Sequence, residues 1–281
     1  MSTNDLCDDA GVFRNATYFF AHRDGAFHPT ESALSRWGKD SLNGPAVVGL
    51  VARCLEHDYG DDEFLPARLT TDLFKAAGRI PTEVRTRLVR EGRRIRGSEC
   101  DVIQAGVVVA RASMLQDRKS APPPGQEWIP EQSFTPPTGI RGTAYAISSD
   151  DVGWSSSGAQ HQNTSRKRVY HRTIEVVEGE TLSPFVRTVV AAEATSLVTN
   201  LGTMGIGYIN GDLTVALSRL PIGNYIGLQA DSHWCADGIS TGTATLFDDE
   251  GPFGTGMVTG IANPAAQIDF AAGQDIPAMG V

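Results

Sequence analysis

Apolar positions along the chain fall into two successive sets with the same order. The first opens with an extended segment, Thr17–Phe27. Ala46-Val47-Val48-Gly49-Leu50-Val51-Ala52, continued by Cys54 and Leu55, is apolar on nearly every helical face, which predicts a helix buried all round. Asn43 is a good N-cap for it and Pro45 suits its first turn. Leu65, Ala67, Leu69, Thr71 and Leu73 then alternate with more polar neighbours, and Glu83–Val89 alternates too. Ser98–Ile103 and Val107–Met114 flank a turn at Gln104-Ala105-Gly106, so strands follow the helix. The second set starts with a strand over Arg168–Val177. Ser183 caps a helix with Pro184 in its first turn, and Phe185, Val186, Val189, Val190, Ala191, Ala192, Leu197 and Val198 line it. Strands follow at Tyr208–Leu217, Tyr225–His233, Ser240–Phe247 and Thr255–Ile261, with a turn at Asp249-Glu250-Gly251.

A short repeat supports reading the two sets as copies. Asp72-Leu73 precedes Arg79-Ile80-Pro81 by the same spacing with which Asp212-Leu213 precedes Arg219-Leu220-Pro221. Each half is thus a strand, a buried helix and a run of mainly antiparallel strands. A curved sheet wrapped around one apolar helix satisfies that order, because the helix buries its surface against the sheet. The fold class expected is α+β, two hotdog folds in tandem, over 1–115 and 166–281. The stretch 116–165 holds Pro122-Pro123-Pro124, Pro136-Pro137, Ser155-Ser156-Ser157 and many Gln, and is expected to be mostly a linker.

Composition narrows the function classes. The 281 residues include 24 Lys plus Arg against 33 Asp plus Glu, a formal charge of −9, which argues against nucleic acid and against anionic membrane as partners. No apolar run approaches the length of a membrane span, and the acidic start of the chain shows no secretory signal. The cysteines Cys7, Cys54, Cys100 and Cys235 form neither a CxxC pair nor a zinc spacing, so reduced thiols in the cytoplasm and no metal are expected.

Asn43-Gly44-Pro45-Ala46-Val47-Val48, Val89-Arg90-Glu91-Gly92-Arg93-Arg94, Leu182-Ser183-Pro184 and Ile209-Asn210-Gly211-Asp212-Leu213-Thr214-Val215 appear in an order that resembles the thioesterase-like double-hotdog superfamily. Its best-known members are type II acyl-CoA thioesterases. The resemblance implies hydrolysis of an acyl thioester, acyl-CoA or a related one, with no cofactor. It implies a water-orienting triad of an acid on the second helix, a Ser or Thr two residues before a strand Asp, and a Gln on the last strand. By register these fall on Glu193, Asn210 and Thr259, each a departure in residue type.

The residues themselves also single out Glu193, one carboxylate inside a mostly apolar helix. Burial raises a carboxylate's pKa and suits it to general-base work, whereas a solvent-facing stripe gives it no task. Asn43 and Gly44 stand where a helix N-terminus offers free N–H donors to a thioester carbonyl, or where Asn43 only caps and Gly44 only permits close packing. Arg93, Arg94 and Arg96, and Arg166, Lys167 and Arg168, are either phosphate contacts or solvated strand edges. The repeated Asp72, Arg79, Asp212 and Arg219 read as structural. A double hotdog that binds an acyl thioester or lipid-like ligand without cleaving it is the alternative function. Homo-oligomerisation is left open.

Overall fold

The structure is a computed structural model, and it describes residues 18–138 and 145–273. Cys7 and Thr17, among the residues read above, lie outside the described residues. The Thr17–Phe27 segment is a hairpin, β1 (Tyr18–Arg23) and β2 (Ala26–Pro29), turning at Asp24-Gly25, both at positive φ. The buried helix is α1 (Gly44–Tyr59), followed by β3 (Phe64–Leu73) and the meander β4 (Glu83–Glu91), β5 (Ile95–Gln104) and β6 (Val107–Arg118), whose last strand returns to pair with β3.

Residues 119–138 carry no helix or strand, as the linker reading expects. The later part of 116–165 departs from it. There β7 (Tyr145–Ser149) and β8 (Val152–Ser155) form a hairpin whose β7 is buried along its length. Its apolar Tyr145, Ala146 and Ile147 are enough to pair it onto the sheet despite the polar residues around them. The next strand breaks in two, β9 (Lys167–His171) and β10 (Glu175–Val177), which join different sheets. The second apolar helix is likewise two helices, α2 (Pro184–Ala192) and α3 (Thr195–Asn200). After the short pair β11 (Leu201–Gly202) and β12 (Gly205–Ile206) come β13 (Tyr208–Asn210), β14 (Asp212–Leu217), β15 (Ile226–Ala236), β16 (Ile239–Asp248) and β17 (Gly251–Ala262).

Most of these strands make one sheet in the order β4-β5-β6-β3-β14-β17-β16-β15-β9-β7-β8, with β13 also on β17. The chain is a tandem hotdog, and its halves join edge to edge through β3 and β14. That seam sets Asp72 opposite Asp212, so the repeated motif meets itself there. The Thr70 and Thr214 hydroxyls lie 3.1 Å apart across it. The repeated arginines take different acids, Arg79 bonding Glu31 and Arg219 bonding Asp248. The hairpin stitches the halves a second time, since β1 runs parallel to β10.

The seam brings the two apolar helices together on one side of the sheet. α1 is buried from Pro45 to Leu55 apart from Arg53, and Arg53 leaves the packing to make a two-pronged ion pair with Glu180 at 2.6 and 2.7 Å. Gly49 is the close-approach point. A Cβ built on it would stand 2.7 Å from Val190 Cγ2 and 2.8 Å from Val176 Cγ2. Gly49→Val therefore overpacks the helix contact and is expected to destabilise the fold by about 1–3 kcal/mol, read from the urea midpoint at unchanged m-value.

Candidate active site

The helix break falls at Glu193. Ala194 N–H donates to Ala191 C=O at 3.0 Å and Ser196 N–H to Glu193 C=O at 3.1 Å, tighter turns than α-helical ones. Glu193, the residue after α2, points its carboxylate at the first turn of α1. A Cβ on Gly44 would collide with Glu193 Oε1 and lie 2.6 Å from its Cδ, so a side chain there would push the carboxylate out of this position. In that turn Pro45 has no N–H and the Val47 N–H bonds Asn43 C=O, which leaves the Gly44 N–H without an intrahelical acceptor, and the positive end of a helix favours an anion beside it. Asn43 caps the same turn. Its Oδ1 accepts from Ala46 N–H at 2.8 Å, and its Nδ2 donates to Ser32 C=O at 2.9 Å. Of the two candidates at the helix start, Gly44 meets the acid, while Asn43 holds the turn in place.

Asn210 completes the contact, its Nδ2 donating to Glu193 Oε1 at 2.9 Å. Asn210 Oδ1 in turn accepts from Ser196 Oγ at 2.5 Å, and Ser196 Oγ accepts from Asn200 Nδ2 at 3.4 Å. Every donor in this chain points toward the carboxylate, which steadies its charged form. Desolvation is the larger effect and raises the Glu193 pKa to about 8, the Asn210 bond opposing it. The residue as a whole is half-buried. Sequence reading missed Ser196 and Asn200. Their spacing from Glu193 puts them on its helical face, a signal the apolar pattern does not carry.

Thr259 does not join this group. Residues 256, 258 and 260 of β17 face the helices, with Gly256 against Thr195 and Val258 buried. Thr259 therefore points to the other side of the sheet, where its Oγ1 and its N–H both donate to Asp212 Oδ1. Gly211, between β13 and β14, interrupts the alternation, which lets Asn210 and Asp212 face opposite sides although they are two residues apart. The placement on the last strand comes from counting along the strand, and counting alone cannot assign a face.

Of the Arg93, Arg94 and Arg96 cluster, Arg96 is paired with acids, bonding Asp61 at 2.5 Å. Among the described residues there is no His, Cys, Asp and Glu cluster fit for a metal, and no helix is long and apolar enough to cross a membrane.

The two-lobed hotdog fold is shared with proteins described as thioesterases. Residues 33–116 match the family model of the acyl-CoA thioesterase N-terminal domain, and residues 117–261 match that of the acyl-CoA thioesterase C-terminal domain. The chain belongs to the acyl-CoA thioesterase family. No curated protein matches it in sequence. Among solved structures it is similar to a candidate thioesterase II from Thermobifida fusca YX, at 14% identity and a TM-score of 0.65, covering 88% of this chain and 96% of that one. The acyl-CoA thioesterase II TesB2 from Mycobacterium marinum has 14% identity and a TM-score of 0.58, covering 79% and 91%. A hot dog fold protein of unknown function from Alicyclobacillus acidocaldarius has 13% identity and a TM-score of 0.61, covering 89% and 98%. At such identities the likeness is one of fold.

The raised pKa has a consequence for folding. Below pH about 4.5 the carboxyl is protonated both folded and unfolded. Between there and about 8 the folded chain keeps a proton that the unfolded chain has released, so stability falls as pH rises, by at most about 1.4 kcal/mol per unit. Glu193→Gln removes this loss. Its urea midpoint is expected to decline less than that of the unaltered chain between pH 5 and pH 8.

Proposed function

We propose that this chain hydrolyses acyl-CoA thioesters to a free acid and coenzyme A, with Glu193 as the base. The observation that carries this reading is a desolvated carboxylate, bonded by the Asn210 amide and seated against Gly44 at the start of a helix. In the reaction, Glu193 takes a proton from water as its oxygen attacks the thioester carbonyl. The carbonyl oxygen gains negative charge, and the Gly44 N–H at the positive end of α1, which the Asn43 cap leaves over, receives it. The intermediate then expels the thiolate, which takes the proton back from Glu193. Asn210 fixes the carboxylate during both transfers. No metal or other cofactor enters these steps.

The second reading keeps the ligand and drops the chemistry. It is favoured by Thr259, whose hydroxyl is engaged by Asp212 on the far side of the sheet, leaving water to be oriented by fewer groups than the family pattern supplies.

Thiol release from a series of acyl-CoA chain lengths separates the two. The unaltered protein is expected to turn over, with kcat rising with pH through about 8 as Glu193 loses its proton. Glu193→Gln is expected to lower kcat by about 10²-fold or more while the thermal transition is kept. Unchanged turnover in that variant removes Glu193 from the mechanism. Saturable binding of acyl-CoA with no thiol at any chain length selects the second reading.

A further inference from the structure

Asn210 bears on Glu193 through one atom, so the direction of its amide decides what it does there. With Nδ2 forward it donates to the carboxylate, as it does here at 2.9 Å. With Oδ1 forward it would repel a carboxylate and would accept only from a protonated acid. The two directions are close in shape, since the amide nitrogen and oxygen exchange places by a half turn about the last side-chain bond. A group beyond Glu193 has to choose between them if the acid is to face a donor in both of its protonation states.

Ser196 makes that choice. Its Oγ donates to Asn210 Oδ1 at 2.5 Å and accepts from Asn200 Nδ2 at 3.4 Å. Ser196 and Asn200 are both buried, so bulk water does not take over these bonds. A half turn of the Asn210 amide would set Nδ2 against an oxygen that already accepts from Asn200, and would leave the Ser196 proton without its acceptor. The helix break makes this geometry. Ser196 N–H closes onto Glu193 C=O at 3.1 Å, and the acid and the hydroxyl then take opposite ends of the same amide. Among the described residues no cation is paired with Glu193. The start of α1 brings Gly44 to it, β13 brings Asn210 and α3 brings Ser196 behind that, while Asp212 lies on the far side of the sheet, bonded to Thr259. The charge of the acid therefore answers to burial and to the Asn210 bond.

We propose that Ser196 is a positioning residue for the hydrolysis, locking the Asn210 amide with its N–H toward Glu193 so that the carboxylate is kept ready as the base. It acts through Asn210 and not on the reacting atoms. The inference deepens the thioesterase reading. It rests on that reading for its effect on rate, but not for its effect on the carboxyl itself. Without the hydroxyl, the amide is free to turn when Glu193 takes up a proton and to accept from the acid. That bond stabilises the protonated form, so losing the lock moves the titration of the carboxyl upward.

The test is titration of the Glu193 carboxyl by carbon NMR, its resonance assigned by its loss in Glu193→Gln, alongside the pH profile of thiol release from acyl-CoA. Ser196→Ala is expected to move the carboxyl midpoint up by about one pH unit. At pH 7, below both midpoints, kcat is then expected to fall about tenfold with KM unchanged, and the deficit to close as the pH rises. In an Asn210→Leu background there is no amide to lock. Ser196→Ala is expected to shift the midpoint no further there, a non-additivity that general loosening of the fold does not produce. Should Asn210→Leu not fold, Asn210→Ala takes its place. An unmoved or lowered midpoint in Ser196→Ala overturns the proposal, and so does an equal shift in the background that lacks the amide. A raised midpoint with no thiol release at any chain length sinks hydrolysis and leaves the lock standing. Thiol release with an unmoved midpoint does the reverse.

Discussion

Two apolar helices pressed together on one side of a continuous sheet are the constraint from which the rest of this structure follows. Neither α1 nor α2 has a polar face wide enough for water, so each must be covered, and the edge-to-edge seam of β3 and β14 puts them within reach of one another. The approach is close because Gly49 leaves no side chain between α1 and Val190. It carries the end of α2 to the start of α1. A carboxylate placed at that end has nowhere to go but against Gly44, with one amide to hold it.

The chemistry proposed for the protein rests on two opposed effects at this one group. Loss of water raises the Glu193 pKa, which makes its carboxylate a stronger base. The amide of Asn210 and the hydroxyl behind it favour the charge, which keeps that base available near neutral pH. A carboxylate in bulk water would lack the first effect, and one buried in hydrocarbon would lack the second. The same donor chain runs on from Asn210 through Ser196 to Asn200.

Where sequence pattern and structure part, the cause is local. The helix expected over Phe185–Val198 is split because tighter turns close around Glu193, and apolar spacing is blind to a change from one helical turn to another. The hairpin of β7 and β8 was hidden inside a polar, proline-rich stretch because a handful of apolar residues suffices when a neighbouring strand edge is waiting. Thr259 was placed on the correct strand but faces away from the acid, one position having decided the side of the sheet. Lys167 belongs to a basic run that reads as a solvated edge, yet its amine is enclosed by the turn over 163–165.

The amino-acid sequence by itself determined the repeat, the all-round burial of α1, the order of the main strands after each helix, and the oddity of one acid among apolar neighbours. These are properties of spacing and hydropathy, which act over a few residues and are written directly in the chain. Only the tertiary structure decided that Gly44 and Glu193 touch, and that Asn210 reaches the acid while Thr259 does not. Those are contacts between residues far apart in sequence. They are set by the seam, the helix break and the Gly211 irregularity together, and no local pattern encodes a distance across the fold.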